Sequence, residues 1–245
     1  MDHVDPAAAD TLAGRPLGLE WDLGFQISFT FEVPLERVAS VVPAGVELVE
    51  PVPGRALLNL IHARYAPGTL DEPEPFDEIV CSLIAQPDLS VPMPTPRQTL
   101  FVLDVASDSA AFVEYKVPAL RMPVRHDPSL RAEPAPDGRG TTVSDGRGPL
   151  FSLVCGEASP RYKARSLFGQ YFAQTDDALH HGVWSWWGAM HESQRHRRGR
   201  SELNVEHPRW AELGLSRISA RDCFMQQVTR PGEGAHMRTY APTTR

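Results

Sequence analysis

The chain has 245 residues, 42% of them hydrophobic and 22% charged, with a net charge of −7. That composition excludes collagen-like, fibrous and wholly disordered classes, and the acidic balance excludes a general nucleic-acid binder. No run approaches the ~20 apolar residues of a membrane helix, and the acidic start lacks the basic and apolar regions of a secretory signal.

The cytoplasm is therefore the expected compartment. Cys81, Cys155 and Cys223 form no close-spaced pair, which argues against a zinc site or a disulfide framework. The two lysines, Lys116 and Lys163, stand against twenty-two arginines. Any lysine chemistry must use one of those two.

Residues 1–23 are rich in Ala, Asp, Pro and Gly and read as a loose entry segment. GFQISFTFEVPL then alternates Phe25, Ile27, Phe29, Phe31 and Val33 with polar residues, the pattern of a half-buried strand. After Pro34, the spacing in residues 35–42 predicts a short helix stopped by Pro43. Further strands are predicted at 56–65, 77–86, 99–107, 110–120 and 149–158. Two Asp-Gly-Arg-Gly copies, at 137–140 and 145–148, read as tight turns bracketing a short strand.

Between 161 and 198, aromatic residues three and four apart predict two helices separated near Gly182, and strand-like alternation returns at 214–230. Strands throughout, interrupted by helices, give an α+β reading, mainly β. One domain over 24–245 is expected, with an antiparallel barrel-like core and flanking helices.

Several clusters suit chemistry. Glu78 closes an acidic stretch and opens the apolar run IVCSLI, where a carboxylate turned inward would have a raised pKa and could shuttle protons. A surface glutamate at a strand start is the structural alternative. In a strand at 110–120, Glu114 and Lys116 would share one face and Val113 and Tyr115 the other. Facing inward, Lys116 would be a desolvated amine able to form a Schiff base; facing outward, Glu114 and Lys116 would be a surface pair of little energetic value.

His62 and Arg64 share one face of the strand at 56–65. His180, His181, His191 and His196 lack metal-ligand spacing, so no metal and no cofactor are expected. Trp184, Trp186 and Trp187 read as core or lid packing. The basic run at 195–200 reads as a charged helix end, with receipt of a phosphate or an acidic carrier protein as the alternative.

Three stretches carry a family resemblance: FTFEVPLERVASVVPAGVELVEP (29–51), FDEIVCSLIAQPD (76–88) and LFVLDVASDSAAFVEYKVPALRMP (100–123). Over residues 24–124 the sequence resembles the acetoacetate decarboxylase-like superfamily, and 160–245 match poorly. The resemblance implies a barrel fold, self-association, a small or polyketide-like keto substrate inside the barrel, and Glu78 at the family's active-site glutamate. It also exposes departures. Family decarboxylases carry Tyr-Pro-Lys-Lys, whose second lysine lowers the pKa of the first. Aligned on Pro118, Ala119 and Leu120 stand where that pair belongs, and only a slip in the alignment brings Lys116 near the nucleophile position. Gly24 stands where the family has an arginine, and Asn59 where it has a second glutamate.

Decarboxylation of acetoacetate itself is therefore not expected. The leading expectation is acid/base chemistry of a cyclase, dehydratase, isomerase or decarboxylase type. Glu78 would move protons with His62 or Arg64, and Asn59, Glu114, Tyr115 and Arg121 would contact substrate. An imine on Lys116 is the alternative mechanism, and a non-catalytic small-molecule binder of the same fold is the alternative function.

Overall fold

The computed structural model describes residues 9–96, 98–154, 161–175, 178–194, 200–203, 206–215 and 223–245. In chain order the strands are β1 (Thr11–Leu12), β2 (Arg15–Pro34), β3 (Arg55–Tyr65), β4 (Asp77–Ile84), β5 (Gln98–Ser107), β6 (Val124–His126) and β7 (Arg131–Pro134). They continue with β8 (Gly140–Asp145), β9 (Gly148–Val154), β10 (Arg161–Gln174), β11 (Leu179–Gln194), β12 (Arg200–Leu203), β13 (Cys223–Thr229) and β14 (Ala235–Thr244). Two helices, α1 (Ala110–Leu120) and α2 (Pro208–Glu212), complete the described elements with three short 3-10 turns. Two of those turns, Leu35–Arg37 and Ala39–Val41, take the place of the short helix expected after Pro34.

Hydrogen bonds close a barrel in the order β2, β13, β11, β10, β5, β4, β3 and back to β2. Its pairings are antiparallel except β5 with β10, which run parallel. β14 lies against β2 at residues 17–23 and against β11 at residues 180–188, so it extends the wall beyond the end of β13. β2 therefore begins at Arg15, inside the stretch read as a loose entry segment.

Strand alternation assigns each side chain to one surface of the wall. Ile61, Ala63 and Tyr65 of β3 face inward with Trp21, Leu23, Leu100, Val102, Val105, Tyr171 and Trp186. Phe29, Phe31, Leu58, Leu60, Ile79 and Cys81 face outward, under a second sheet ordered β12, β9, β8, β7. Leu150, Phe151 and Leu153 of that sheet close over them. The two Asp-Gly-Arg-Gly copies flank β8, as the turn reading anticipated. On β5, a register shift opposite Cys81 and Ser82 lets both Val102 and Val105 point into the barrel.

Two segments depart from the sequence expectation. The helices expected at 161–198 are the long strands β10 and β11. Both faces of these strands are covered: Phe168 and Val183 pack outward with Val91 and Met93, while Tyr171 and Trp186 pack inward. Apolar residues on both faces erase the period of two and leave spacings that imitate a helix.

Conversely, the strand expected at 110–120 is helix α1. The Ser109 hydroxyl accepts a hydrogen bond from the Phe112 N–H at 3.0 Å, an N-cap that starts the helix. Phe112, Lys116 and Leu120, four residues apart, form its buried stripe.

Candidate active site

The barrel encloses a cavity of about 240 Å³. Its wall is largely apolar, with Leu23, Ile61, Val80, Leu100, Tyr171, Trp184, Trp186 and Met190 among the lining residues. Glu78 and Lys116 also line it, both almost fully buried at 2% and 4% exposure. They reach it from different elements. Glu78 points inward from β4, opposite Ala63 on β3 and Ser107 on β5. Lys116 descends from α1, because a spacing of four residues, close to one helical turn, carries Phe112, Lys116 and Leu120 onto the same side.

The two groups form a buried ion pair, Lys116 Nζ donating to Glu78 Oε1. The Tyr65 hydroxyl, from β3, donates to the other carboxylate oxygen, Oε2. Both oxygens of Glu78 are thus held by donors. Aromatic rings enclose the lysine: its Nζ lies 4.7 Å from the Phe112 ring centre and 5.6 Å from that of Trp21. Tyr65 and Phe76 stack at 4.8 Å and complete the apolar surround. Burial, and then the charge of Glu78, push the Tyr65 phenol well above its usual pKa, so it remains a proton donor across neutral pH.

The remaining sequence candidates lie elsewhere. His62 and Arg64 are even-numbered on β3 and point out of the barrel, opposite to the cavity. The His62 ring bridges Asp77 Oδ1 at 2.8 Å and the Thr141 hydroxyl at 2.7 Å. Arg64 grips the Asp77 carboxylate through two hydrogen bonds and reaches the Ala132 carbonyl at 2.7 Å. Both tie the barrel wall to the outer sheet and cannot meet Glu78 through the wall.

Asn59 faces inward but donates to the Ser28 and Thr30 hydroxyls and the Phe29 carbonyl, away from the cavity lining. Glu114 and Tyr115 are exposed, because the helix turns them outward where a strand would have kept Glu114 beside Lys116. Arg121 is exposed and ends α1 in the left-handed conformation, with φ of 53°. Among the described residues, no group of three or more His, Cys, Asp and Glu side chains is placed to hold a metal. The basic run falls at 195–199 largely outside the described residues, as does Cys155.

Sequence reasoning passed over Tyr65, Trp21 and Phe112. Tyr65 was legible in principle: it follows Ile61 and Ala63 at a spacing of two on a strand paired with β4, which places it beside Glu78.

No family model and no curated protein matches the sequence. Solved structures do match in three dimensions. An acetoacetate decarboxylase superimposes with a TM-score of 0.61 at 10% identity, covering 94% of this chain and 91% of that one. The chain has the acetoacetate decarboxylase-like fold. An acetoacetate decarboxylase-like enzyme from Sphingomonas wittichii RW1 gives 0.52 at 12% identity, covering 93% of each chain. The enduracididine biosynthesis enzyme MppR, complexed with the condensation product of pyruvate and imidazole 4-carboxaldehyde, gives 0.55 at 11% identity, covering 92% of this chain and 88% of its own. These neighbours are enzymes of the acetoacetate decarboxylase-like kind, which fits the resemblance read over residues 24–124. No helix among the described residues is long and apolar enough to cross a membrane.

Proposed function

We propose that this chain is an enzyme that takes a small keto compound into the barrel cavity and joins it to Lys116 as an imine, with Glu78 as acid and base. The observation that carries this reading is the buried contact between Lys116 and Glu78 in the cavity wall. The sequence favours lysine-independent chemistry on two grounds: no cationic neighbour stands beside Lys116, and a strand would hold Glu114 against it. On the helix Glu114 points outward, and the carboxylate that meets the lysine is the one inside the cavity.

The first steps follow from that pairing. When a carbonyl enters, Glu78 accepts a proton from the ammonium and leaves a neutral amine. The amine nitrogen attacks the carbonyl carbon, and one of its protons passes to the carbonyl oxygen, which becomes the hydroxyl of a neutral carbinolamine. Glu78 then returns a proton to that hydroxyl, water leaves, and the carbon–nitrogen double bond of the iminium forms. Overall, ammonium plus ketone give iminium plus water, with charge conserved.

The iminium withdraws electrons from the adjoining carbon–carbon bond, which suits cleavage or formation of a bond next to the carbonyl. Lyase chemistry of an aldol or decarboxylase type follows. The condensation product of pyruvate and imidazole 4-carboxaldehyde held by MppR supports a carbonyl substrate. Tyr65 holds Glu78 so that its Oε1 stays on the lysine side.

Borohydride reduction in the presence of a keto-compound panel, followed by mass measurement of intact protein and peptides, tests the reading. A stable adduct on Lys116 that disappears in Lys116→Ala is expected. Tight binding with no adduct and no turnover would show a binding protein instead.

A further inference from the structure

Several hydrogen-bond donors around the cavity are already engaged. Lys116 and Tyr65 serve Glu78, the Tyr171 hydroxyl donates to the Leu120 carbonyl at 3.0 Å, and Gln227 Nε2 donates to Glu192 Oε2 at 3.0 Å. Two lining donors differ. Trp186 Nε1 and Gln98 Nε2 are buried atoms with no hydrogen-bond partner. Trp186 is 2% exposed, so solvent outside the barrel does not satisfy it. A buried N–H left unpaired costs about 1–3 kcal/mol, and such groups call for a partner.

The strand register places these donors on one side of the wall. Gln98 on β5 pairs with Gly169 on β10, and Gly169 pairs with Trp184 on β11. A side chain at Gly169 would collide with the Trp184 indole, so that ring lies flat over the glycine. Trp186, the next inward residue of β11, stands opposite Leu167. The donors therefore belong to the β5, β10 and β11 side, whereas Glu78 and Tyr65 belong to β4 and β3. The rest of the lining is mostly Leu, Ile, Val, Met and aromatic side chains, with Gln26, Glu192, Gln227 and Thr239 as further polar members.

Volume bounds the occupant. A cavity of ~150 Å³ holds a benzene, so about 240 Å³ accommodates on the order of ten non-hydrogen atoms. Resting on the imine reading above, we infer that the substrate is a ketone or aldehyde with an apolar, ring-sized body. It carries a hydrogen-bond-accepting oxygen, remote from the reacting carbonyl, that Trp186 Nε1 and Gln98 Nε2 receive. The two donors choose among keto compounds, and Lys116 acts on the one chosen.

The test uses 4-phenylbutan-2-one and its ortho, meta and para ring-hydroxylated isomers. Calorimetry measures binding to the full chain, which needs no turnover. At least one hydroxylated isomer is expected to bind about tenfold more tightly than the parent ketone, as a buried hydrogen bond allows. Trp186→Phe keeps an aromatic ring and removes the N–H, and should abolish that preference, read as the ratio of isomer to parent-ketone affinity within the same variant. Gln98→Met should reduce it, and serves if the tryptophan variant fails to fold.

Equal affinity for all four ketones, no binding of any, or a preference that survives both substitutions would overturn the inference. Borohydride trapping on the same samples keeps the two readings apart. A preference without a Lys116 adduct sinks the imine and leaves the donor pair standing. An adduct without a preference does the reverse.

Discussion

Asp77 and Glu78 are neighbours on β4 and serve opposite sides of the barrel wall. Glu78 meets Lys116 and Tyr65 inside, while Asp77 accepts hydrogen bonds from His62 and Arg64 outside. The outer cluster fixes the strand exactly one residue from the cavity carboxylate, and the Ser107 hydroxyl adds a bond to the Asp77 carbonyl at 2.7 Å. Burial works to raise the Asp77 carboxyl, but the hydrogen bonds and charges of His62 and Arg64 outweigh it, and the pKa ends lowered.

A lowered pKa makes this carboxylate stabilising above its unfolded value of about 3.9, and that contribution is lost as pH falls through the folded value. Asp77→Asn leaves Arg64 and His62 without the charge they enclose. Loss of about 3 kcal/mol at neutral pH is expected, a fall in Tm of roughly 10 °C for a chain of this size. The variant should also show a shallower acid-unfolding profile below about pH 4, measured by thermal melts across pH.

His181 gives the mildly acidic counterpart. Burial, and secondly the Arg15 charge, lower its pKa to about 4. Arg15 donates toward its ring nitrogen Nδ1 at 2.9 Å, and the ring lies 4.8 Å from that of Phe172. The unfolded chain therefore binds a proton near pH 6.5 that the folded chain refuses until about pH 4. Stability is complete above about pH 6.5 and declines as pH falls toward 4, by up to about 3 kcal/mol. His181→Phe should remove that part of the slope in a pH series of melts, whatever it does to stability at pH 8.

Particular residues show why the sequence disclosed some of this and not the rest. β2, β3, β4 and β5 were legible because alternation or a bounded apolar run marks a strand, and Glu78 because it opens such a run. β10 and β11 were not, since Phe168 and Phe172 outside and Tyr171 and Trp186 inside are all apolar. The helix α1 was concealed by Val113, Tyr115 and Val117, strand-favouring residues whose side chains lie on or near its surface, while the signal that mattered was Ser109 followed by a stripe four residues apart. That one misreading displaced Glu114, Tyr115 and Lys116 together. The ion pair itself joins positions 38 apart, and no local pattern announces it.

Glycine positions supply a further test. A Cβ at Gly182 would occupy the space of the Tyr171 ring, which lines the cavity and ties β10 to the end of α1 through the Leu120 carbonyl. Gly182→Ala must displace that ring or part β10 from β11, at a cost of about 1–3 kcal/mol. The displaced tyrosine should also free the last turn of α1, read as faster amide hydrogen exchange at residues 119–121. Unchanged exchange there would show that Tyr171 does not hold the helix.

The buried pair itself is open to a double-substitution cycle that assumes nothing about catalysis. Lys116→Met keeps the apolar stem against Phe112 and Trp21 but leaves the Glu78 carboxylate buried without its cation. Removing one partner of a buried pair costs about 3–5 kcal/mol, because the survivor must stay charged without compensation or take up a proton. Glu78→Gln leaves the ammonium buried in the same position without its counter-charge, at a cost of similar size. The double variant contains neither charge, and Tyr65 can still donate to the glutamine oxygen. Its loss should fall short of the summed single losses by about 2 kcal/mol or more, measured by denaturant unfolding. Additive losses would mean that the ion pair is absent in solution and that the two groups reach the cavity independently.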